Sequence, residues 1–221
     1  MGCGHPSQTF RSTVWLMPKT RRLSIFPLPR AVLYPGLALP LHIFEPRYRA
    51  MISDSMARDR LIGMVQPTRG EGSPLYKVGC VGHLREFQVL DDGRYNILLE
   101  GLQRFTIVRE LEVTTPFRQI EAELWDEDEQ RDVLASIERA ALEDEAKRFA
   151  RSLGYSVEWE NVTRLDDYAL VSGIAQIAPF DVAAKQALLE IRGLSERSEL
   201  LIQMMQFFSR GDGASGRATM Q

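Results

Sequence analysis

Hydrophobic and polar positions follow two rhythms along this chain, and the change falls near residue 126. Before it, short apolar runs alternate with turn residues; after it, apolar residues recur every three or four positions. The first apolar run, LSIFPLPRAVLYPGLALPLHIFEPRYRAMI (Leu23 to Ile52), carries five prolines. Its Val, Ile and aromatic residues predict extended chain over 23–34, which the prolines confine to strand starts and edges. Tyr34-Pro35-Gly36 predicts a turn, with Pro fixing φ and Gly allowing a positive one. Strand resumes over 37–44, and Glu45-Pro46 opens a helix, because Pro loses nothing at the first helical position. Tyr48, Met51 and Ile52 give that helix one buried face. Further strands are predicted over 61–66 and 78–90, the second with Gly79 and Gly82 marking a bulge or a corner. A hairpin turn at Asp91-Asp92-Gly93 leads to a return strand over 95–100, which Gly101 interrupts. Two more strands, 104–111 and 117–124, complete a small, mostly antiparallel, curled sheet or barrel.

The second rhythm predicts a helical bundle. The acidic run Asp126-Glu127-Asp128-Glu129 sits where a helix should begin and suits its positive dipole end. Val133, Ile137, Ala140, Ala141 and Phe149 then form an apolar face, broken at Gly154 with Trp159 nearby. Thr163-Arg164-Leu165-Asp166 has capping-box spacing ahead of Tyr168, Leu170, Val171, Ile174 and Ile177, and Pro179 stops that helix. Asp181 caps a short helix that Gly193 ends, and Ser195 caps the last one, with Leu200, Leu201, Met204, Met205 and Phe208 on its inner face. The chain therefore divides into a leader (1–22), a β-rich part (23–125), a helical part (126–209) and a polar, disordered tail (210–221). Met17 is a candidate start, since the ordered pattern begins just after it.

Composition narrows the function classes. A net charge of -3 gives no electrostatic case for nucleic acid or an anionic membrane. Two cysteines, Cys3 and Cys80, are no disulfide framework and imply a reducing compartment. No apolar run reaches the length of a membrane span, and the N-terminus has basic residues after its weak apolar patch rather than before it. These features place the chain in the cytoplasm.

Candidate chemistry is thin. There is no P-loop and no GxSxG elbow. Gly211 to Gly216 spells GxGxxG, but in the tail, with neither strand before nor helix after it. Cys80 and His83 have a metal-like spacing, yet too few partners follow them, and their parity on one strand turns them to opposite faces. Nothing in the sequence lowers the Cys80 thiol pKa for nucleophilic work. Glu45 with Arg47 and Arg49 could bind an anion; the simpler reading is that Glu45 and one arginine satisfy buried polar groups beneath the proline-rich run. Met204, Met205, Phe207 and Phe208 read as bundle core, with a peptide-gripping stripe as the alternative. The residues alone describe a non-catalytic module of strands and helices, with no cofactor and no metal.

The opening run also resembles the start of the N-terminal domain of Lon, the ATP-dependent protease. The blocks that carry the resemblance are Pro27-Leu28, Tyr34-Pro35-Gly36, Pro40-Leu41-His42-Ile43 and Phe44-Glu45-Pro46-Arg47-Tyr48. Val78-Gly79-Cys80-Val81-Gly82, Asp92-Gly93-Arg94-Tyr95-Asn96, Glu100-Gly101-Leu102-Gln103-Arg104-Phe105 and Leu194 to Met205 extend it over residues 23–209. The resemblance implies an α+β fold, a PUA-like pseudobarrel followed by a helical bundle, as in the related domain of cereblon. It implies a module that binds polypeptide segments or a protein partner. The chain ends where Lon's ATPase would begin, so proteolysis does not carry over, and a stand-alone bacterial domain protein is expected. Pro27, Pro35, Gly36, Pro40, Phe44, Glu45, Pro46, Arg47, Tyr48, Gly101 and Arg104 match the family motif and are read as structural residues. The alternative is a small-molecule or RNA ligand, since PUA-like barrels also serve RNA enzymes, although the acidic balance argues against RNA. A hydrolase would need a pocket where a nucleophile and a base converge.

Overall fold

The computed structural model describes residues 19–70, 72–126 and 132–215, with 210–215 described by backbone alone. The elements run β1 (Thr20–Pro27), β2 (Ala38–Ile43), α1 (Pro46–Met56), β3 (Leu61–Val65), β4 (Val78–Val89), β5 (Tyr95–Leu111), β6 (Gln119–Leu124), α2 (Ser136–Ser152), α3 (Trp159–Val162), α4 (Asp167–Ile177), α5 (Val182–Glu190) and α6 (Leu194–Ser215). The six-stranded sheet has the order β2-β5-β4-β3-β1-β6, and a further β5–β6 pairing links its far end back to β5. Strands β5, β4, β3, β1 and β6 therefore form a closed ring, with β2 added on β5. Only the β1–β3 pair is parallel among the pairings described.

Closure depends on β5, which is long enough to serve three neighbours. Its first part, to Glu100, lies between β2 and β4, its pairing with β4 continues to Thr106, and from Phe105 to Leu111 it pairs with β6. Gly101 does not interrupt it, contrary to the expectation of two separate strands at 95–100 and 104–111. The register shift at Val81/Gly82 puts the extra residue on β5, at Leu102 beside Gly101, and the extra residue of β4 is Arg85, away from the glycines expected to mark its bulge. Ile25, Val81, Phe105 and Ile120 fill the inside of the ring. On one side α1 buries Tyr48, Met51 and Ile52 against Phe26, Ile62 and Ile97. Leu142, Phe149, Val171, Leu201 and Met205 form the core of the helical part, where α2 runs along α6.

Several helix boundaries differ from the pattern's prediction. Helix α2 starts at Ser136, not in the acidic run, and residues 127–131 lie outside the described residues. Val133 and Ile137 are 78% and 79% exposed, so the buried face is Leu142, Ala146, Phe149 and Ala150 instead. Asp166, rather than Thr163, caps α4 by accepting from Ala169 N. Asp181 caps α5 as expected, through Ala184 N. The last helix includes Ser195 in its first turn, where the hydroxyl bonds Glu138 Oε2 at 3.2 Å, and it continues to Ser215, beyond the boundary expected at 209. Residues 20–22 of the expected leader belong to β1; residues 1–18 and 216–221, with Cys3, Met17 and the end of the GxGxxG string, lie outside the described residues.

Candidate functional site

Part of the motif, Pro35, Gly36, Pro40, Gly101 and Arg104, gathers at the seam between strands and helices. Pro35 and Gly36, with Gly36 at φ 76°, form a turn closed by Leu37 N donating to Tyr34 O at 3.1 Å. That turn sits on β5 at Gly101: Gly36 N donates to Gly101 O and Gly101 N to Leu37 O, both at 2.8 Å. A Cβ on Gly101 would run into the Tyr34 carbonyl, so only glycine permits this approach. Three residues along β5, the fully buried Arg104 donates to Leu189 O (2.8 Å) and Ile191 O (2.7 Å) at the C-terminal end of α5. A cation there complements the negative end of the helix dipole. Arg197 of α6 reaches the same end, donating to Leu188 O (3.1 Å) and Ile191 O (2.6 Å), and its guanidinium lies 5.3 Å from the Tyr34 ring centre. Burial pushes the Tyr34 phenol well above its ordinary pKa. Arg104 and Arg192 both stack over Trp125.

Amide groups extend the seam. Gln66 Nε2 donates to Val182 O and Gln186 Oε1, both at 3.1 Å, and Gln186 Nε2 donates to Val78 O at 3.1 Å. Gln176 Nε2 donates to Ala38 O at 2.9 Å, while Lys185 Nζ donates to Gln176 O at 2.6 Å. Burial pulls the Lys185 ammonium down to a pKa of about 8. The Gly101 N to Leu37 O bond fixes which groups of β2 face β5; Ala38, Pro40 and His42 turn theirs away. Ala38 O meets Gln176 there, and Pro40 has no N–H to leave open.

Other motif residues lie elsewhere. Pro27 ends β1 opposite Val65. Pro46 is the first residue of α1, and Glu45 does not serve buried groups: Arg47 donates to it from Nε (3.0 Å) and Nη2 (2.7 Å) at the half-exposed helix start. Tyr48 packs on Phe26 with ring centres 4.4 Å apart, whereas Phe44 is 59% exposed. Cys80 is buried, and burial lowers the pKa of the half-buried His83. Among the described residues no three His, Cys, Asp or Glu side chains gather as a metal site would need, and no helix is long and apolar enough to cross a membrane.

The opening that could take a ligand is in the helical part. A groove of about 170 Å³ runs between α2, α3, α4 and α6. Ala146, Phe149 and Ala150 form one wall, Trp159 and Val162 another, with Ile174 and Met205 between them. Tyr155, Val157 and Ile177 stand at its mouth, and Ile177 is 78% exposed. The sequence pattern assigned Ile177 to a buried face and noted Trp159 only in passing. The available signal was the spacing of Tyr155, Val157, Trp159 and Val162 through a segment with little regular structure. The expected Met/Phe stripe splits: Met205 is core, Phe208 packs on Phe180 at 5.0 Å, and Phe207 is 74% exposed. The larger depressions near Arg22 and Arg109 are open and lined mostly by polar and charged side chains.

Comparison with known proteins bears directly on this geometry. The ATP-dependent protease La (LON) substrate-binding domain family matches residues 22–206. Lon protease 2 of Herpetosiphon aurantiacus is 29% identical over 192 residues, covering 80% of this chain and 23% of that protein. The Lon N-terminal domain protein from Xanthomonas campestris superposes with a TM-score of 0.63 at 22% identity, over 83% of this chain and 98% of that one. The N-terminal domain of Mycobacterium avium complex Lon protease gives 0.63 at 18% identity, over 84% and 98%. These two likenesses establish the fold. The chain spans about a quarter of the length of the curated relatives it matches, and their matched part is N-terminal. With most of its length matched, and with its proline-punctuated opening inside the match, the chain belongs to the Lon substrate-binding domain family.

Proposed function

We propose that this chain is a cytoplasmic recognition module, without catalytic chemistry of its own, that binds polypeptide segments. The observation that carries the reading is the open groove lined by Phe149, Trp159, Val162 and Met205. Apolar surface left open in a folded domain marks an interaction site. About 170 Å³ is smaller than the ~300–1,000 Å³ of typical small-molecule sites and suits one or two side chains of a longer chain. Membership of a substrate-binding domain family supports the same reading. In this reading the motif residues, Gly101 and Arg104 foremost, hold the scaffold; none of them lines the groove.

The test is fluorescence anisotropy with a labelled, permanently unfolded protein, such as reduced and carboxymethylated α-lactalbumin. Saturable binding that weakens in Trp159→Ala, with folding intact by circular dichroism, is the expected result. No binding, or equal binding by the variant, overturns the reading; saturable, salt-sensitive binding of a labelled single-stranded RNA instead would favour the nucleic-acid alternative.

A further inference from the structure

Strand β4 outlasts its neighbour β3. Their pairing ends at Leu61 opposite His83, and Leu84 N donates to Arg60 O at 2.9 Å. Beyond that point β4 runs on to Val89, paired with β5 alone among the described residues. The bond from Leu90 N to Arg94 O, at 2.8 Å, sets the phase of this stretch. Glu86 and Gln88 turn their main-chain groups to β5, and Phe87 and Val89 turn theirs outward. The side chains of Phe87 and Val89 share one face, and both are exposed. The edge has no proline, and its pairing with β5 has no register shift from Glu86 to Val89. Arg49 of α1 lies against Gly93, where a Cβ would meet its Nη2, so the hairpin is held to the fold.

We infer that this edge pairs with the same edge of a second copy, antiparallel about a two-fold axis at Gln88. Phe87 then lies opposite Val89 of the other copy, and the four outward N–H and C=O groups of each strand all find partners. A register centred on Phe87 or Val89 would set the other residue against the Arg85 bulge or the Asp91 turn. On one face the pairing joins Phe87 and Val89 of both copies into an apolar cluster; on the other, Gln88 meets Gln88 and Glu86 meets Leu90, so no like charges are opposed. At each end Asp91 of one hairpin approaches Arg60 of the other. Neither is in an ion pair among the described residues, whereas Asp59, Glu100 and Asp92 are held by Arg21, Arg85 and Arg94. A second copy brings a strand already ordered by β5, and loses less entropy on pairing than an unfolded segment does. The strand is short and the buried area small, so the dimer is weak.

Sedimentation equilibrium of the full chain tests this, with a monomer–dimer equilibrium expected at ~10–100 μM. Phe87→Lys, folded by circular dichroism, is expected to weaken it at least about tenfold. Gln88→Cys, in a chain with Cys3→Ser, is expected to give a disulfide-linked dimer under oxidised glutathione, because facing residues at such a position lie ~4.5 Å apart at Cα. Asn96→Cys, also exposed but one strand further back on β5, is expected to give none. A monomer throughout the range, a dimer unaffected by Phe87→Lys, or equal cross-linking of the two cysteine variants overturns the inference. A monomeric chain that loses unfolded α-lactalbumin on Phe87→Lys also overturns it, and assigns the edge to extended polypeptide instead. None of these outcomes touches the groove, whose reading rests on Trp159→Ala.

Discussion

The seam and the groove are built partly from the same helices, and they use them in opposite ways. At the seam, Gly101, Arg104, Arg197, Gln66 and Gln186 place their main-chain or side-chain groups against specific partners across the strand–helix junction. At the groove, Trp159, Val162 and Ile177 present apolar side-chain surface instead. The contrast teaches that Gly101 and Arg104 of the motif meet specific partners at the strand–helix junction, while the apolar opening is lined by residues outside the motif.

Substitutions on the two sides should separate cleanly. The largest effect is expected from Gly101→Ala, because the new Cβ collides with backbone rather than with a side chain that could swing away. A loss of more than about 3 kcal/mol, or failure to fold, should appear in urea unfolding. Arg104→Met should cost about 2–4 kcal/mol by stranding the Leu189 carbonyl and leaving Ile191 O with Arg197 alone, and Arg104→Lys should not restore the loss, since lysine lacks the planar guanidinium that stacks on Trp125. A stable Arg104→Met protein would show that the seam does not depend on its buried cation.

Lys185→Met tests the seam from the other direction. The native pKa of Lys185, about 8, lies below the value of 10.5 that an unfolded chain gives it. Its burial penalty is therefore full below pH 8 and vanishes as pH rises to 10.5. Relative to the Met variant, the parent should gain on the order of 1–2 kcal/mol across that window, measured as paired unfolding curves. Parallel curves would mean that the fold leaves the Lys185 pKa where the unfolded chain has it and exacts no charge-burial penalty. The smallest stability effect belongs to the groove: Ile177→Asp should stay within about 0.5 kcal/mol of the parent while weakening unfolded-protein binding about tenfold. A large stability loss there would reclassify Ile177 as core and blur the distinction between the two regions.

How far the sequence revealed these regions follows from what made each of them. The turn at Tyr34-Pro35-Gly36, the Pro46 helix start and the Asp181 cap were legible because their chemistry is local. Gly101 was misread as a strand break because its reason lies in the Tyr34 carbonyl, brought in from 67 positions upstream by the turn that precedes β2. Val133 and Ile137 looked like the start of an apolar face because periodicity cannot distinguish a buried stripe from an exposed one. The groove was harder to read for a related reason: α2, α3, α4 and α6 each supply part of it, and the spacing of Tyr155, Val157, Trp159 and Val162 marks one wall alone.

Pro40 has a consequence for the outer edge of the sheet. Strand β2 is apolar, pairs with β5 alone among the described residues, and would otherwise offer its outer edge as a template for another strand. With no N–H at Pro40 and the Ala38 carbonyl occupied by Gln176, that edge cannot support a continuous ladder. On the proposed function, a bound polypeptide would thus be held by its side chains without seeding a growing β-stack on this edge.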